Sequence, residues 1–189
     1  MDMKLKDLLE EKKSSISKKW FEAIVETYPT DASGFLKKQK DRFANPVGHT
    51  ISQGTESILD ALIEEKDLPE ELPFLDDIIK VRAIQDFTPS KAMAFIFLLK
   101  KVVREELEKE IRQNQLDKEL LTFELKIHEL ALFAFDIYSK CREQLNELKT
   151  DELKRMTFTL LKKANLMYEI PAQEFKQKEE NTNGSTCGR

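Results

Sequence analysis

Glycine and proline are scarce here, five and six among 189 residues. That scarcity excludes a turn-rich all-β design, which needs such residues at its reversals. With glycine only at 34, 48, 54, 184 and 188, a phosphate-cradling P-loop and a Gly-x-Gly-x-x-Gly dinucleotide fingerprint are excluded by counting. No Gly-x-Ser-x-Gly nucleophile elbow occurs either. Histidine and cysteine number two each. Cys141 falls in a helical pattern and Cys187 in the polar end of the chain, with neither Cys-x-x-Cys nor zinc spacing around them. Glu124 and His128 stand four apart and only once, whereas a ferritin-like centre needs Glu-x-x-His on two helices. No catalytic residue, metal ligand or cofactor is therefore assigned, and the chain reads as a non-enzyme.

Long hydrophobic runs are missing as well. The longest, Ala92 to Leu99, has eight residues, and a membrane-spanning helix needs about 20. The opening "MDMKLKDLLEEKK" carries acids where an export signal needs an apolar core. These absences predict a soluble, cytoplasmic protein without membrane insertion. Charge of one sign is not in excess: 31 basic and 35 acidic side chains, mixed along the chain, leave a formal charge of −4. Nothing there offers a basic field to a nucleic acid.

What is present suits helices. Hydrophobic residues make up 40% of the chain and include twelve Phe and one Trp, enough for a core in a chain that buries about 70% of its unfolded surface. The fold class expected is all-α, a single compact bundle of six or seven helices over residues 1–170, with residues 171–189 a disordered polar tail. Apolar residues at three- and four-residue steps predict helices over about 4–27, 33–42, 45–65, 73 onward, 89–115, 116–148 and 151–167. "AMAFIFLL", Ala92 to Leu99, is apolar on every face, which describes a helix surrounded by others at the centre of the fold.

The segment "RFANPVGHTISQG", residues 42–54, concentrates residues that are rare elsewhere in the chain. Asn45 suits an N-cap and Pro46 a first helical turn, where a missing N–H costs nothing. "DFTPS" repeats the device with Thr88 as cap and Pro89 behind it. Helix starts favour anions and polar ligands. If the two starts converge, Arg42, Asn45, His49, Arg82, Gln85 and Ser90 line one polar pocket. The alternative is that Asn45 and Thr88 only cap, while Gly48 and Gly54 let a neighbouring helix pack closely.

The helix from Leu116 has the clearest repeat. Leu116, Leu120, Phe123, Ile127, Leu130, Ala134, Ile137 and Cys141 alternate steps of four and three. Leu116, Leu120, Phe123, Ile127, Leu130 and Ile137 form the candidate seam for a homodimer or an output contact, with a plain core stripe as the alternative. A second row, Leu121, Leu125, His128, Leu132 and Phe135, widens the stripe, and His128 within it reads as a packed, hydrogen-bonded core histidine.

Two stretches, "DRFANPVGHTISQGTESILDAL" and "IIKVRAIQDFTPSKAMAFIFLLKKVVREEL", with "WFEAIVETYP" before them, carry a resemblance. Over about Leu5 to Tyr138 the chain resembles the RsbRD N-terminal domain family, the sensor-like helical modules named after RsbT co-antagonist proteins. The resemblance implies a bacterial regulatory input module of stress or signal transduction, placed before a STAS domain or a helix-turn-helix output. It also leaves room for a globin-like arrangement that dimerises. No output domain is expected after the last helix, so the chain is expected to be a stand-alone module acting through protein contacts. Its expected partners are a second copy of itself or a separate STAS-domain or kinase-type regulator. The competing expectation is a small-molecule or haem-binding helical protein without a signalling partner.

Overall fold

The computed structural model describes residues 4–38, 43–64, 73–85 and 87–164. Among the described residues every regular element is a helix, as expected. Eight follow in order: α1 (Leu5–Glu11), α2 (Lys13–Val25), α3 (Thr30–Lys38), α4 (Pro46–Ile63), α5 (Pro73–Ile84), α6 (Pro89–Glu106), α7 (Glu108–Asn114) and α8 (Asp117–Lys163). The chain divides into two compact units, Met1–Leu145 and Asn146–Arg189. The boundary expected at residue 170 and the polar tail with Cys187 lie outside the described residues.

The core of the first unit is built around α2. Ile16, Trp20, Ile24 and Val25 are fully buried, each contributing about 1.5–3 kcal/mol of hydrophobic stabilisation. Trp20 joins α2 to α6: its indole N–H donates to the Phe95 carbonyl at 2.7 Å, and the two rings stack with centroids 6.3 Å apart. Ser17 and Thr55 meet at 3.4 Å in the interior and join α2 to α4. Helices α4 and α5 approach at Gly54, where an added Cβ would stand 2.5 Å from Ile78 Cδ1. That contact explains one of the two glycines in the 42–54 segment.

The structure corrects several boundaries. The expected helix over 4–27 breaks at Lys12, whose φ of −98° and ψ of 9° depart from helical values. Lys12 Nζ reaches the Glu106 carbonyl at 3.2 Å and the Glu110 carboxylate at 2.6 Å, so the break anchors the chain to α6 and α7. The helix expected to run from 89 to 115 breaks at Leu107, which is fully buried. Gln115, with φ 55° and ψ 43°, ends α7 in the left-handed conformation. The two last helices expected are one helix, α8. No glycine or proline interrupts the sequence there, and the Thr150 hydroxyl donates to the Asn146 carbonyl at 2.8 Å, inside the helical turn. Helix α8 contains 47 residues.

Helix α6 is not surrounded on all sides. Ala92, Phe95, Ile96 and Leu99 are buried, but Ala94 and Phe97 are exposed, because the elements packed on α6 cover one side only. In the second unit, residues 146–163 continue as helix with every residue exposed, Leu148, Leu153, Met156, Phe158, Leu160 and Leu161 among them.

Candidate functional site

Asn45 caps α4, as expected. Its Oδ1 accepts from the Gly48 backbone N–H at 2.9 Å, and its Nδ2 donates to the Leu36 carbonyl at 3.0 Å, which ties the start of α4 to α3. The side chain is buried, and a Cβ at Gly48 would fall within 2.2–2.8 Å of it. Gly48 is therefore small to make room for its own cap, not for a neighbouring helix. The start of α6 is built differently. Thr88 holds the cap position with extended backbone, but its side chain makes no capping bond and lies 3.4 Å from the Ser90 hydroxyl.

Arg82, in the last turn of α5, is fully buried. Its Nη2 donates to Thr27 Oγ1 at 3.0 Å and to the Lys91 carbonyl at 3.2 Å. The guanidinium carbon lies 4.4 Å from the Phe87 ring centre, 5.3 Å from Tyr28 and 5.4 Å from Phe95. Such a cage favours a cation through the ring quadrupoles, and the C-terminal end of α5 adds partial negative charge. No carboxylate among the described residues pairs with Arg82. Among the described residues its Nε and Nη1 make no hydrogen bond of good geometry, and neither does the Tyr28 hydroxyl, which interacts with the guanidinium. Among the described residues these are the buried side-chain polar atoms without one, and all three belong to this cluster. Burial draws the Arg82 pKa down while the Tyr28 hydroxyl opposes that; burial pushes the Tyr28 phenol up while Arg82 opposes it. Arginine remains charged throughout.

Beside the cluster is a cavity of about 220 Å³ lined by Tyr28, Ala32, Phe35, Leu36, Asn45, Pro46, Val47 and Gln85. Its wall is almost wholly apolar. Tyr28 belongs to both places: it lines the cavity, and its ring centre lies 5.3 Å from the Arg82 guanidinium carbon.

Of the six residues expected to share a pocket, Asn45 and Gln85 line this cavity, and Arg82 does not line it but lies 5.3 Å from the ring centre of Tyr28, which does. His49 is half-buried and does not line it; Ser90 is exposed beside Thr88. Arg42 lies outside the described residues. The sequence reading missed Thr27 and Tyr28, Phe87 and Phe95, which come from three separate segments and carry no shared spacing. The Tyr-Pro at positions 28 and 29 was legible only as a helix end.

His128 is exposed and not packed in the core: its Nε2 stands 3.0 Å from Lys100 Nζ, and its ring lies 6.2 Å from Phe97. Among the described residues no group of three or more His, Cys, Asp or Glu is placed to hold a metal ion.

Helix α8 has two different sides. Leu116 just precedes it, and with Leu120, Phe123, Ile127 and Leu130 it is buried, while Ile137 is half-buried against the core. The row expected as a seam thus lines the interior of the first unit. The same side grips the Arg82 neighbourhood: the Tyr138 hydroxyl donates to the Phe87 carbonyl at 2.7 Å, and Arg142 Nη1 donates to the Ala83 carbonyl at 3.2 Å. On the other side the second row is uncovered, with Leu121, Leu125, Leu132 and Phe135 exposed, Leu132 by 69%.

Compared with known proteins, residues 14–153 match the family described as the RsbT co-antagonist protein rsbRD N-terminal domain. No curated protein matches the chain, and no solved structure does.

Proposed function

We propose a regulatory role on one premise: the chain belongs to the family of the RsbT co-antagonist protein rsbRD N-terminal domain. The proposed role is a non-enzymatic input domain of stress or signal transduction that works through protein contacts. The supporting observation is the arrangement of α8. Its inner side holds the backbone around Arg82 through Tyr138 and Arg142, and its outer side presents an uncovered apolar row. A change at the Arg82 cluster would shift the carbonyls those two residues grip, and the helix carries that shift to the outer row.

The occupant of that row is a second copy of the chain. Leu121, Leu125, His128, Leu132 and Phe135 keep alternating steps of four and three, the spacing that lets two helices interlock. Phe97 widens the patch from α6. Exposed apolar patches of this kind mark association sites. A separate STAS-domain or kinase-type regulator is the other partner the family suggests. Sedimentation of the protein over micromolar concentrations tests the first: a dimer is expected, and a strict monomer throughout sinks the self-association.

A small-molecule reading is favoured by the cavity beside Arg82. Haem fits it poorly, since about 220 Å³ is below the range of about 300–1,000 Å³ of pockets that take drug-sized ligands, and neither His49 nor His128 lines it.

A further inference from the structure

We propose that Arg82 and Tyr28 form the anion-binding end of a site for a small apolar monocarboxylate, whose hydrocarbon part occupies the cavity between α2, α3, α4 and α5. Four observations specify this ligand class. First, buried polar groups are nearly always paired, yet among the described residues Arg82 Nε, Arg82 Nη1 and the Tyr28 hydroxyl make no hydrogen bond of good geometry, the phenol and the guanidinium having only each other, in side chains 0% and 8% exposed. All three can donate to a carboxylate. Second, the site holds one buried positive charge and no carboxylate among the described residues, so a single negative charge balances it where a dianion would leave an excess. Third, of the cavity's described lining residues only Tyr28, Asn45 and Gln85 carry polar side chains, and both ends of the Asn45 amide are engaged in the α4 cap. The rest of the ligand is therefore apolar. Fourth, the volume of about 220 Å³ fits a ring or a short branched chain, since an apolar cavity of about 150 Å³ accommodates benzene.

Tyr28 lines the cavity and Arg82 does not, so binding requires a turn of the Tyr28 ring that opens the guanidinium edge to the carboxylate. Occupancy would then fix Tyr28 against Phe87, whose carbonyl Tyr138 of α8 holds. The binding claim stands on the cluster and cavity alone; its link to self-association rests on the regulatory reading above.

Benzoate is the probe, with benzamide as its uncharged isostere, in calorimetric titrations of the full chain. Saturable binding of benzoate is expected, with benzamide at least about tenfold weaker, the loss of one charge-assisted hydrogen bond. Arg82→Met should remove benzoate binding, and Tyr28→Phe should weaken it several-fold while keeping the ring in the wall. Ala32→Phe should block binding by filling the cavity while leaving Arg82 untouched; circular dichroism checks that each variant is folded. No saturation by tens of millimolar benzoate, or equal affinity for the amide, overturns the proposal. Sedimentation with and without benzoate separates the two claims. Binding that leaves self-association unchanged supports the site and removes its link to signalling.

Discussion

Burying Arg82 strips its guanidinium of water, and two hydrogen bonds with three ring faces offset only part of that loss. An apolar residue of similar volume generally stabilises such a position as well or better. Arg82→Met should therefore change the unfolding free energy by less than about 2 kcal/mol, while Arg82→Ala, which leaves a cavity, should cost about 3 kcal/mol. Urea denaturation of the two variants checks the contrast; a methionine variant as damaged as the alanine one would make Arg82 a structural residue. Gly48→Ala makes the opposite case. Alanine favours a helix interior over glycine by about 1 kcal/mol, but here its methyl displaces the Asn45 side chain from both of its bonds. A net loss of about 1–2 kcal/mol is expected, read from the thermal midpoint. At this scale the sequence was half legible. Asn45, Pro46 and the cap are local, so three adjacent letters announce them. Arg82 and Gln85 were visible only as residues before the second helix start, because the rings that enclose Arg82 arrive from the α2–α3 connection, α6 and the α5–α6 connection.

Among the elements, α8 shows where periodicity stops being informative. Its two apolar rows have the same step pattern, and nothing in the letters says which one faces inward. Leu116 to Ile137 went to the core because that side also carries Glu124, Tyr138 and Arg142, which bond to α6 and to the backbone of the α5–α6 corner. Leu125→Asp combined with Leu132→Asp alters only exposed positions, so the fold should survive and any dimer should dissociate; paired circular dichroism and sedimentation measurements test both halves. Glu124 secures α8 to α6 through Arg104 at 2.6 Å and Lys100 at 3.3 Å. Burial by itself would raise its carboxyl, but the two cations outweigh that and hold it below the ordinary value. A depressed folded value means the stabilisation is complete above the unfolded value of about 4.3 and is lost as pH falls through the folded one. Glu124→Gln should therefore lower the thermal midpoint at neutral pH and flatten its fall in acid, and parallel curves for both proteins would refute this. The breaks at Lys12 and Leu107 were illegible for a related reason: neither has a glycine or proline, and each is set by what the residue reaches across the fold.

For the molecule as a whole, the described buried residues end at Cys141, so the first unit carries the described core. A chain ending at Leu145 should fold with its thermal midpoint within a few degrees of the full protein, as surface segments contribute little to stability, and calorimetry of both checks it. A collapse of the shortened chain would show that the exposed remainder of α8 supports the core. The all-α class was legible throughout because composition alone decides it. The arrangement of the helices was not, since contacts such as Trp20 on Phe95 join positions 75 residues apart.

That contact has a practical outcome. The indole of Trp20 is the chain's one tryptophan, held in the interior against the same Phe95 that closes the cage around the guanidinium. The protein thus contains its own optical label, placed where no dye could be attached without damage. Emission excited at the red edge of indole absorption comes from this single, solvent-shielded point, so its wavelength and lifetime report rearrangements beside the cage without any engineered chromophore.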